Sequence, residues 1–254
     1  MKLRDKWRLL RIREDKGAMQ MAIDEAMLLA RAQNLVPNTL RFFTWKPPAL
    51  TIGYFQSLEQ EINDSKAKEF GIDVVRRYTG GGAVFHDAEL TYSLVVPEKQ
   101  ISYEIVDSYG ILCRGIIEGL RILGLESEFY PINDILAGGK KISGNAQTRK
   151  RGIILQHGTI LLDVDVRKMF SLLKVSDEKI RDKMIKKVEE RVTSLKNELG
   201  REVSLEELQD AIIKGFEKAL NIELIDGELS DKEMELAEKL YQEKYSTKEW
   251  SYLR

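Results

Sequence analysis

The segment RRYTGGGAVFHD, residues 76–87, is the most distinctive stretch of this chain. It holds two arginines, three consecutive glycines and a His-Asp pair, and the apolar runs 72–75 and 91–96 on either side predict strands. Glycine lets the main chain approach a ligand closely, and the N–H groups of such a turn can surround an anion. Arginine adds a planar fork that matches a carboxylate or a phosphate. The segment therefore predicts a site for an anionic ligand such as a phosphate ester.

The overall composition excludes several classes of protein. Among 254 residues, 40 Lys and Arg nearly balance 41 Asp and Glu, so no polyanion-binding surface and no nucleic-acid partner are expected. No apolar run approaches the ~18 residues of a membrane-spanning helix, and the charged N-terminal sequence is unlike a signal peptide. The single cysteine excludes an internal disulfide framework and favours a cytoplasmic protein that has no membrane partner.

The pattern of apolar residues predicts an α+β fold. Helices are expected over residues 17–33 and 103–123. Strands are expected at Leu40–Trp45, Leu50–Phe55 and Gly152–Val164, and Gly138-Gly139 predicts a hairpin turn. No internal repeat or linker is visible, so residues 1–254 are predicted to form one domain with a helical C-terminal part at about 165–254.

A second group of candidate residues surrounds the predicted hairpin. Asn133 and Asp134 precede it, and Lys140 and Lys141 begin its second strand. Adjacent strand residues face opposite sides, so only one of the two lysines can enter a site. A lysine in a pocket can hold a phosphate and a carbonyl oxygen together, and Asp134 could orient that lysine or help to hold a metal.

Two further segments carry candidate side chains. His157 and Gly158 lie in a predicted strand, and His86 is the only other histidine. A purely structural role for His157 is an equal alternative. Arg191 could close over an anion or be an ordinary solvated charge. Cys113 falls on the apolar face of a helix and is expected to be a core thiol.

Together these motifs resemble the lipoate–protein ligase A family, within the larger biotin/lipoate ligase group. The resemblance covers most of the chain and rests on MAIDEA (21–26), IGYFQ (52–56), RRYTGGGAVFHD (76–87), ND (133–134), KKISG (140–144), QHG (156–158) and RVT (191–193). It implies a mixed or antiparallel sheet flanked by helices, like class II synthetases and biotin–protein ligases. It also implies a short, archaeal-type catalytic subunit whose C-terminal accessory domain is a separate polypeptide, and hence a possible accessory partner.

The resemblance implies the chemistry of an ATP-dependent, AMP-forming ligase. Such enzymes join lipoate to ATP to give lipoyl-AMP, and then transfer the lipoyl group to a lysine of a carrier domain, in E2 or in the glycine-cleavage H protein. Lys141 is the expected catalytic residue, in contact with both substrates. Mg²⁺ is expected to accompany ATP, with Asp134 as a possible ligand. The residues expected to bind ATP or lipoyl-AMP are Arg76, Arg77, Gly80, Gly81, Gly82, Ala83, Val84, Phe85, His86, Asn133, Asp134, Lys141, His157, Gly158 and Arg191.

Two alternatives stay open beside the ligase. A related branch transfers octanoyl groups through a cysteine thioester, with the cysteine just before the Lys-Ile-Ser-Gly strand. Here residues 129–134 read FYPIND without a cysteine, which favours the ligase. Residues 144–149, GNAQTR, nevertheless resemble the transferase branch, so an octanoyl or lipoyl transferase acting from an acyl carrier is the second hypothesis. The third is a non-catalytic module that binds lipoyl domains.

Overall fold

The computed structural model describes residues 4–174 and 178–254. Its strands are β1 (Asp5–Asp15), β2 (Thr39–Trp45), β3 (Ala49–Ile52), β4 (Asp73–Arg76), β5 (Val84–His86), β6 (Glu89–Pro97), β7 (Glu128–Tyr130), β8 (Asp134–Ala137), β9 (Lys140–Lys150), β10 (Ile153–Leu161) and β11 (Ile222–Asp226). Its α-helices are α1 (Gly17–Ala32), α2 (Leu58–Glu61), α3 (Asp64–Glu69), α4 (Glu98–Ile101), α5 (Ile105–Ile122), α6 (Val166–Leu172), α7 (Glu178–Glu189), α8 (Leu195–Leu199), α9 (Leu205–Leu220), α10 (Asp231–Leu240) and α11 (Lys248–Ser251), and a π-helical segment at Tyr241–Tyr245 follows α10.

Within these residues, eight strands form one mixed sheet in the order β11-β1-β2-β6-β10-β9-β8-β7. Strand β1 pairs in parallel with both β2 and β11, whereas the remaining pairs are antiparallel. The predicted fold class, a mixed sheet flanked by helices, is confirmed. The strand β11 lies in the part of the chain for which the sequence predicts only helices.

Helices cover both faces of the large sheet. On one face, α5 and α9 pack against a core that includes Leu40, Phe42 and Ile154. On the other, α1 and α10 enclose a second core that includes Phe43 and Leu155. Neighbouring residues of β2 and β10 thus supply opposite cores, as strand alternation requires. None of the helices in the described part of the chain combines the length and the apolar character needed to span a membrane.

A smaller sheet, in the order β4-β3-β5, carries the glycine-rich segment. Strand β4 pairs with β3 in parallel, and β5 pairs with β3 in the opposite direction. The chain must therefore turn between Arg76 and Val84, and residues 77–83 form that turn. We call residues 77–83 the glycine loop. The predicted hairpin turn also forms between β8 and β9, where Gly138 and Gly139 adopt φ of 55° and 76°.

Candidate active site

A cavity of about 270 Å³ opens beside the glycine loop. It lies where the small sheet meets the central strands β9 and β10 of the large sheet. Its lining residues are Met21, Trp45, Arg77, Gly81, Gly82, Ala83, Val84, Phe85, His86, Thr91, Asn133, Lys141, Gly144, Asn145, Ala146, His157, Gly158, Thr159, Leu161, Val164, Met169, Val188 and Val192. Segments distant in sequence, from α1 to the chain following α7, therefore converge on one space.

Arg77 fixes the shape of the glycine loop. Its Nη2 donates to the carbonyl oxygens of Gly80 and Gly82, at 3.0 and 2.8 Å, and its Nη1 donates to the Thr51 hydroxyl at 2.6 Å. The guanidinium is buried, and this burial lowers the pKa of Arg77 to about 10. Most of its hydrogen-bonding capacity is used within the protein. Arg77 thus lines the cavity mainly as the residue that fixes the conformation of the loop.

Arg76 does not reach the cavity. Its guanidinium is completely buried on the other side of the strand and donates to the carbonyl oxygens of Gly53, Tyr54 and Gln56, at 3.1, 3.0 and 2.6 Å. It also donates to the carbonyl oxygens of Trp250 and Ser251, at 3.0 and 2.9 Å. Adjacent strand residues face opposite sides, so one arginine of the pair faces the cavity and the other joins the loop to the C-terminal segment.

The C-terminal segment braces the glycine loop from behind. The indole nitrogen of Trp250 donates to the Arg76 carbonyl oxygen at 2.9 Å. The Lys244 ammonium lies 4.1 Å from the Trp250 ring centre and 4.3 Å from that of Tyr78, and it forms an ion pair with Glu25 at 2.6 Å. This bracing was not predicted from the sequence, because its partners lie more than 150 residues apart.

Lys141 is the lysine that faces the cavity. Its Nζ lies 2.7 Å from Oδ1 of Asp134, and its side chain is 40% exposed. Lys140 is exposed and does not line the cavity. Asp134 lies behind Lys141 and holds it, so this carboxylate orients the lysine. In residues 4–174 and 178–254, no three His, Cys, Asp or Glu side chains are grouped closely enough to hold a metal ion.

Asn133 lines the cavity beside the Lys141–Asp134 pair. Its amide donates to the carbonyl oxygen of Asn145, and the Asn145 amide donates back to the Asn133 carbonyl oxygen at 2.9 Å. This exchange fixes the chain just before β8 against β9. The position of Asp134, and through it the position of the lysine, depends on this connection.

His157 is buried and bound at both ring nitrogens. Nδ1 lies 2.9 Å from Oδ2 of Asp24, and Nε2 lies 2.8 Å from the Thr79 hydroxyl in the glycine loop. Burial lowers the pKa of His157. Burial also disfavours the charged form of Asp24, but the hydrogen bond from His157 and the charge of Arg41, 2.7 Å away, outweigh it and lower the pKa of Asp24. The arrangement is a neutral imidazole that donates from Nδ1 to an ionised carboxylate.

His86 has a similar environment on the opposite wall. Its Nδ1 lies 2.6 Å from Oε1 of Glu89, and its Nε2 lies 2.8 Å from the Thr51 hydroxyl, which already accepts from Arg77. The ring stacks on Trp45 at 4.1 Å between centres. Both histidines of the chain therefore line the cavity as fixed, hydrogen-bonded walls. Asp24 and Glu89 were not recognised from the sequence as their partners.

Arg191 lies outside the cavity and is exposed. Its carbonyl oxygen accepts from the Lys141 amide at 2.7 Å, and the Thr193 amide donates to the Lys141 carbonyl oxygen at 2.9 Å. The following residue, Val192, lines the cavity instead. The predicted segment is thus close to the lysine, but it contributes backbone hydrogen bonds and an apolar side chain. Gly80 and Asp134 also lie next to the cavity without lining it.

The rest of the cavity wall is mostly apolar. The apolar side chains come from α1, β2, β5, the end of β10, α6 and the chain around α7: Met21, Trp45, Val84, Phe85, Leu161, Val164, Met169, Val188 and Val192. Apolar walls with a few fixed polar groups are typical of a site for a small organic ligand. The arrangement can bury an aliphatic chain and present its polar end to the Lys141 ammonium.

Residues 16–217 match the family model described as the lipoyl protein ligase A/B catalytic domain. The octanoyltransferase LipM of Clostridioides difficile is 37% identical over 98% of this chain and 100% of its own. That of Bacillus subtilis is 34% identical over 99% of each chain. Among solved structures, the bipartite lipoate protein ligase of Thermoplasma acidophilum, described with its E2 lipoyl domain, is 34% identical with a TM-score of 0.88, covering 98% of this chain and 96% of that one. A lipoate–protein ligase A bound with ATP is 31% identical, with a TM-score of 0.84. The match covers 98% of this chain and 99% of that one.

These relatives overturn the principal activity predicted from the sequence. The prediction was an ATP-dependent, AMP-forming lipoate–protein ligase, but the curated relatives at 34–38% identity over nearly the full chain are octanoyltransferases. The ligase prediction is wrong, and the alternative of an acyl transferase is better supported. The GNAQTR segment at 144–149 indicates the transferase, whereas the absence of a cysteine from residues 129–134 had favoured the ligase.

Proposed function

Because the chain is an enzyme of the lipoyl protein ligase A/B catalytic-domain family, we propose that it transfers an octanoyl group from an acyl carrier to a lysine of a lipoyl carrier domain. The observation that carries the proposal is the cavity whose apolar walls lead to the Lys141–Asp134 ion pair. Residues 1–254 act as one catalytic domain in this proposal, and the reaction takes place in the cytoplasm without ATP or Mg²⁺.

The apolar walls bind the acyl chain. Transfer of an aliphatic chain from water to such walls is favourable by about 0.8 kcal/mol for each buried CH₂ group. Trp45 and the apolar residues that follow β10 enclose this chain, and the two fixed histidines set the shape of the space. A medium-length acyl group is therefore the natural occupant, and the chemistry takes place at its carbonyl end.

In this proposal the Lys141 ammonium stabilises the negative charge that develops on the carbonyl oxygen of the thioester. A fixed positive donor of this kind contributes roughly 10²- to 10³-fold to the rate of acyl transfer. Asp134 holds the ammonium in place at 2.7 Å. In this proposal the glycine loop, which Arg77 holds in shape through the carbonyl oxygens of Gly80 and Gly82, receives a polar group of the donor arm at its N–H groups.

The acceptor is a carrier domain, such as that of E2 or of the glycine-cleavage H protein. The E2 lipoyl domain described with the bipartite Thermoplasma ligase supports this class of partner. The accessory subunit expected from the sequence resemblance stays a prediction.

The test is a transfer assay with defined substrates. The protein is incubated with octanoyl-acyl carrier protein and an unmodified lipoyl domain in the absence of ATP, and octanoyl-lysine is detected by intact mass. Transfer in this mixture is expected. A parallel reaction contains ATP and free lipoate or octanoate instead of the thioester. Modification that occurs only in that second reaction would refute the proposal.

A further inference from the structure

We infer that the acyl group passes directly from the donor thioester to the acceptor lysine, without an intermediate bound to a thiol of this chain. The inference rests on the proposed function and specifies its route. It departs from the cysteine-thioester route of the related transferase branch, and it follows from where the single cysteine lies.

Cys113 is separated from the cavity by the large sheet. It lies in α5 within the core between that helix and the sheet, and it is 0% exposed. Its Sγ is 4.0 Å from the Gln156 amide nitrogen, whereas His157, the next residue of β10, lines the cavity. Since neighbouring strand residues face opposite sides, the thiol and the cavity are on opposite faces of β10. Burial also raises the pKa of the Cys113 thiol to about 12, so the nucleophilic thiolate is disfavoured.

Most of the other nucleophilic groups that line the cavity are already engaged. The Thr91 hydroxyl accepts from the Trp45 indole at 2.8 Å and donates to Glu89 at 2.7 Å. Both ring nitrogens of each histidine have partners, and Lys141 is held in an ion pair with Asp134. An acyl group on Lys141 would in addition be a stable amide that the acceptor amine could not displace.

One further hydroxyl, that of Thr159, lines the cavity. An alcohol needs an adjacent general base to become a nucleophile. In the part of the chain that the structure describes, no hydrogen bond joins this hydroxyl to a basic side chain. Residues 4–174 and 178–254 therefore supply no covalent relay to the cavity.

The direct step balances without a co-reactant. The neutral amine of the acceptor lysine attacks the thioester carbonyl carbon, and a C–N bond forms. The C–S bond breaks, and the proton lost by the amine nitrogen passes to the leaving sulfur, which departs as the thiol of the donor carrier. The Lys141 ammonium stabilises the oxyanion of the tetrahedral intermediate. Donor and acceptor must therefore occupy the mouth of the cavity at the same time.

The first experiment mixes the wild-type protein with octanoyl-acyl carrier protein and no acceptor, followed by acid quench and intact mass. We expect the unmodified protein mass at every time point. An octanoyl adduct on the protein that disappears when the lipoyl domain is added, with matching gain of octanoyl-lysine, would overturn the direct route. This measurement also detects an ester on Thr159 or any other residue.

The second experiment measures initial rates while both carriers are varied. Direct transfer through a ternary complex predicts intersecting double-reciprocal lines, whereas parallel lines, the sign of a ping-pong route, would overturn it. Cys113→Ala and Cys113→Ser are expected to keep the wild-type rate if they fold. If these variants do not fold, the intact-mass experiment on the wild-type protein decides between the direct route and a covalent intermediate. Absence of any transfer by the wild-type protein would refute the proposed function itself, whereas transfer through an adduct would refute only the direct route.

Discussion

Replacement of Gly53 by alanine tests whether the glycine loop must keep its observed position for activity. A Cβ atom at residue 53 would lie 1.9 Å from the carbonyl oxygen of Gly81, whereas ordinary contact begins at 3.4 Å. The loop would have to retreat by about 1.5 Å, against the hold of Arg77 on its carbonyl oxygens. Misplacement of a reacting group by about 1 Å costs roughly 10²-fold in rate. We therefore expect kcat/KM for octanoyl transfer to fall by about 100-fold, together with a loss of about 1–3 kcal/mol in the free energy of unfolding from overpacking.

The assay compares initial transfer rates and urea denaturation of Gly53→Ala with those of Gly110→Ala. A Cβ atom at residue 110 would meet the Phe129 ring at 3.5 Å, an ordinary contact, and α5 gains about 0.5–1 kcal/mol from losing a glycine. This matched variant should keep wild-type activity. A folded Gly53→Ala protein with a wild-type rate would show that the position of the loop does not control the reaction.

Three further predictions concern ionisable side chains. Lys141→Met should lower kcat by about 10²- to 10³-fold with little change in stability, because the side chain is 40% exposed. Lys140→Met is the control. Equal losses of kcat in both variants would contradict the assignment of Lys141 as the catalytic lysine. Asp24→Asn removes the ion-pair partner of the buried Arg41 and should lower the free energy of unfolding, measured by urea denaturation, by about 3–5 kcal/mol. A decrease below about 1 kcal/mol, as for an exposed pair, would refute this reasoning. Folding lowers the pKa values of His157 and Asp24. The free energy of unfolding that these two groups contribute is therefore fully present above the ordinary histidine pKa of 6.5. It is lost as the pH falls through their lowered pKa values in the folded protein. His157→Asn should show a shallower loss just below that pH, and an unchanged slope would mean that other groups control acid unfolding.

Local patterns predicted the parts of the fold that depend on neighbouring residues. The apolar spacing predicted α1 over 17–33, against the observed Gly17–Ala32, and the paired glycines predicted the turn between β8 and β9. The strand β11 was missed because it is defined by parallel pairing with β1, more than 200 residues away. The polar stretch after β3 forms two short helices, α2 and α3, because Ile62 between them forms a β-bridge with Leu173.

In the candidate site too, local patterns predicted some features, whereas contacts between distant segments were missed. Strand alternation required that one of Lys140 and Lys141 faces outward, and the structure shows that Lys141 faces the cavity. The same rule, applied to the two arginines before the glycines, predicts that only one of them faces the cavity, and the structure shows that it is Arg77. The carboxylates that hold the histidines could not be identified, because no local pattern connects Asp24 in α1 with His157 in β10. The reaction type could not be derived because one set of motifs serves two related chemistries.

The attachment of residues 244–251 to the glycine loop has a consequence for biosynthesis. A ribosome makes the loop early, yet the groups that secure Arg76 and Tyr78 are the carbonyl oxygens of Trp250 and Ser251 and the ammonium of Lys244. The nascent polypeptide must therefore emerge as far as residue 251 before the loop acquires its final supports. The loop is consequently secured late in translation, although nearly all the residues that line the cavity have been made long before.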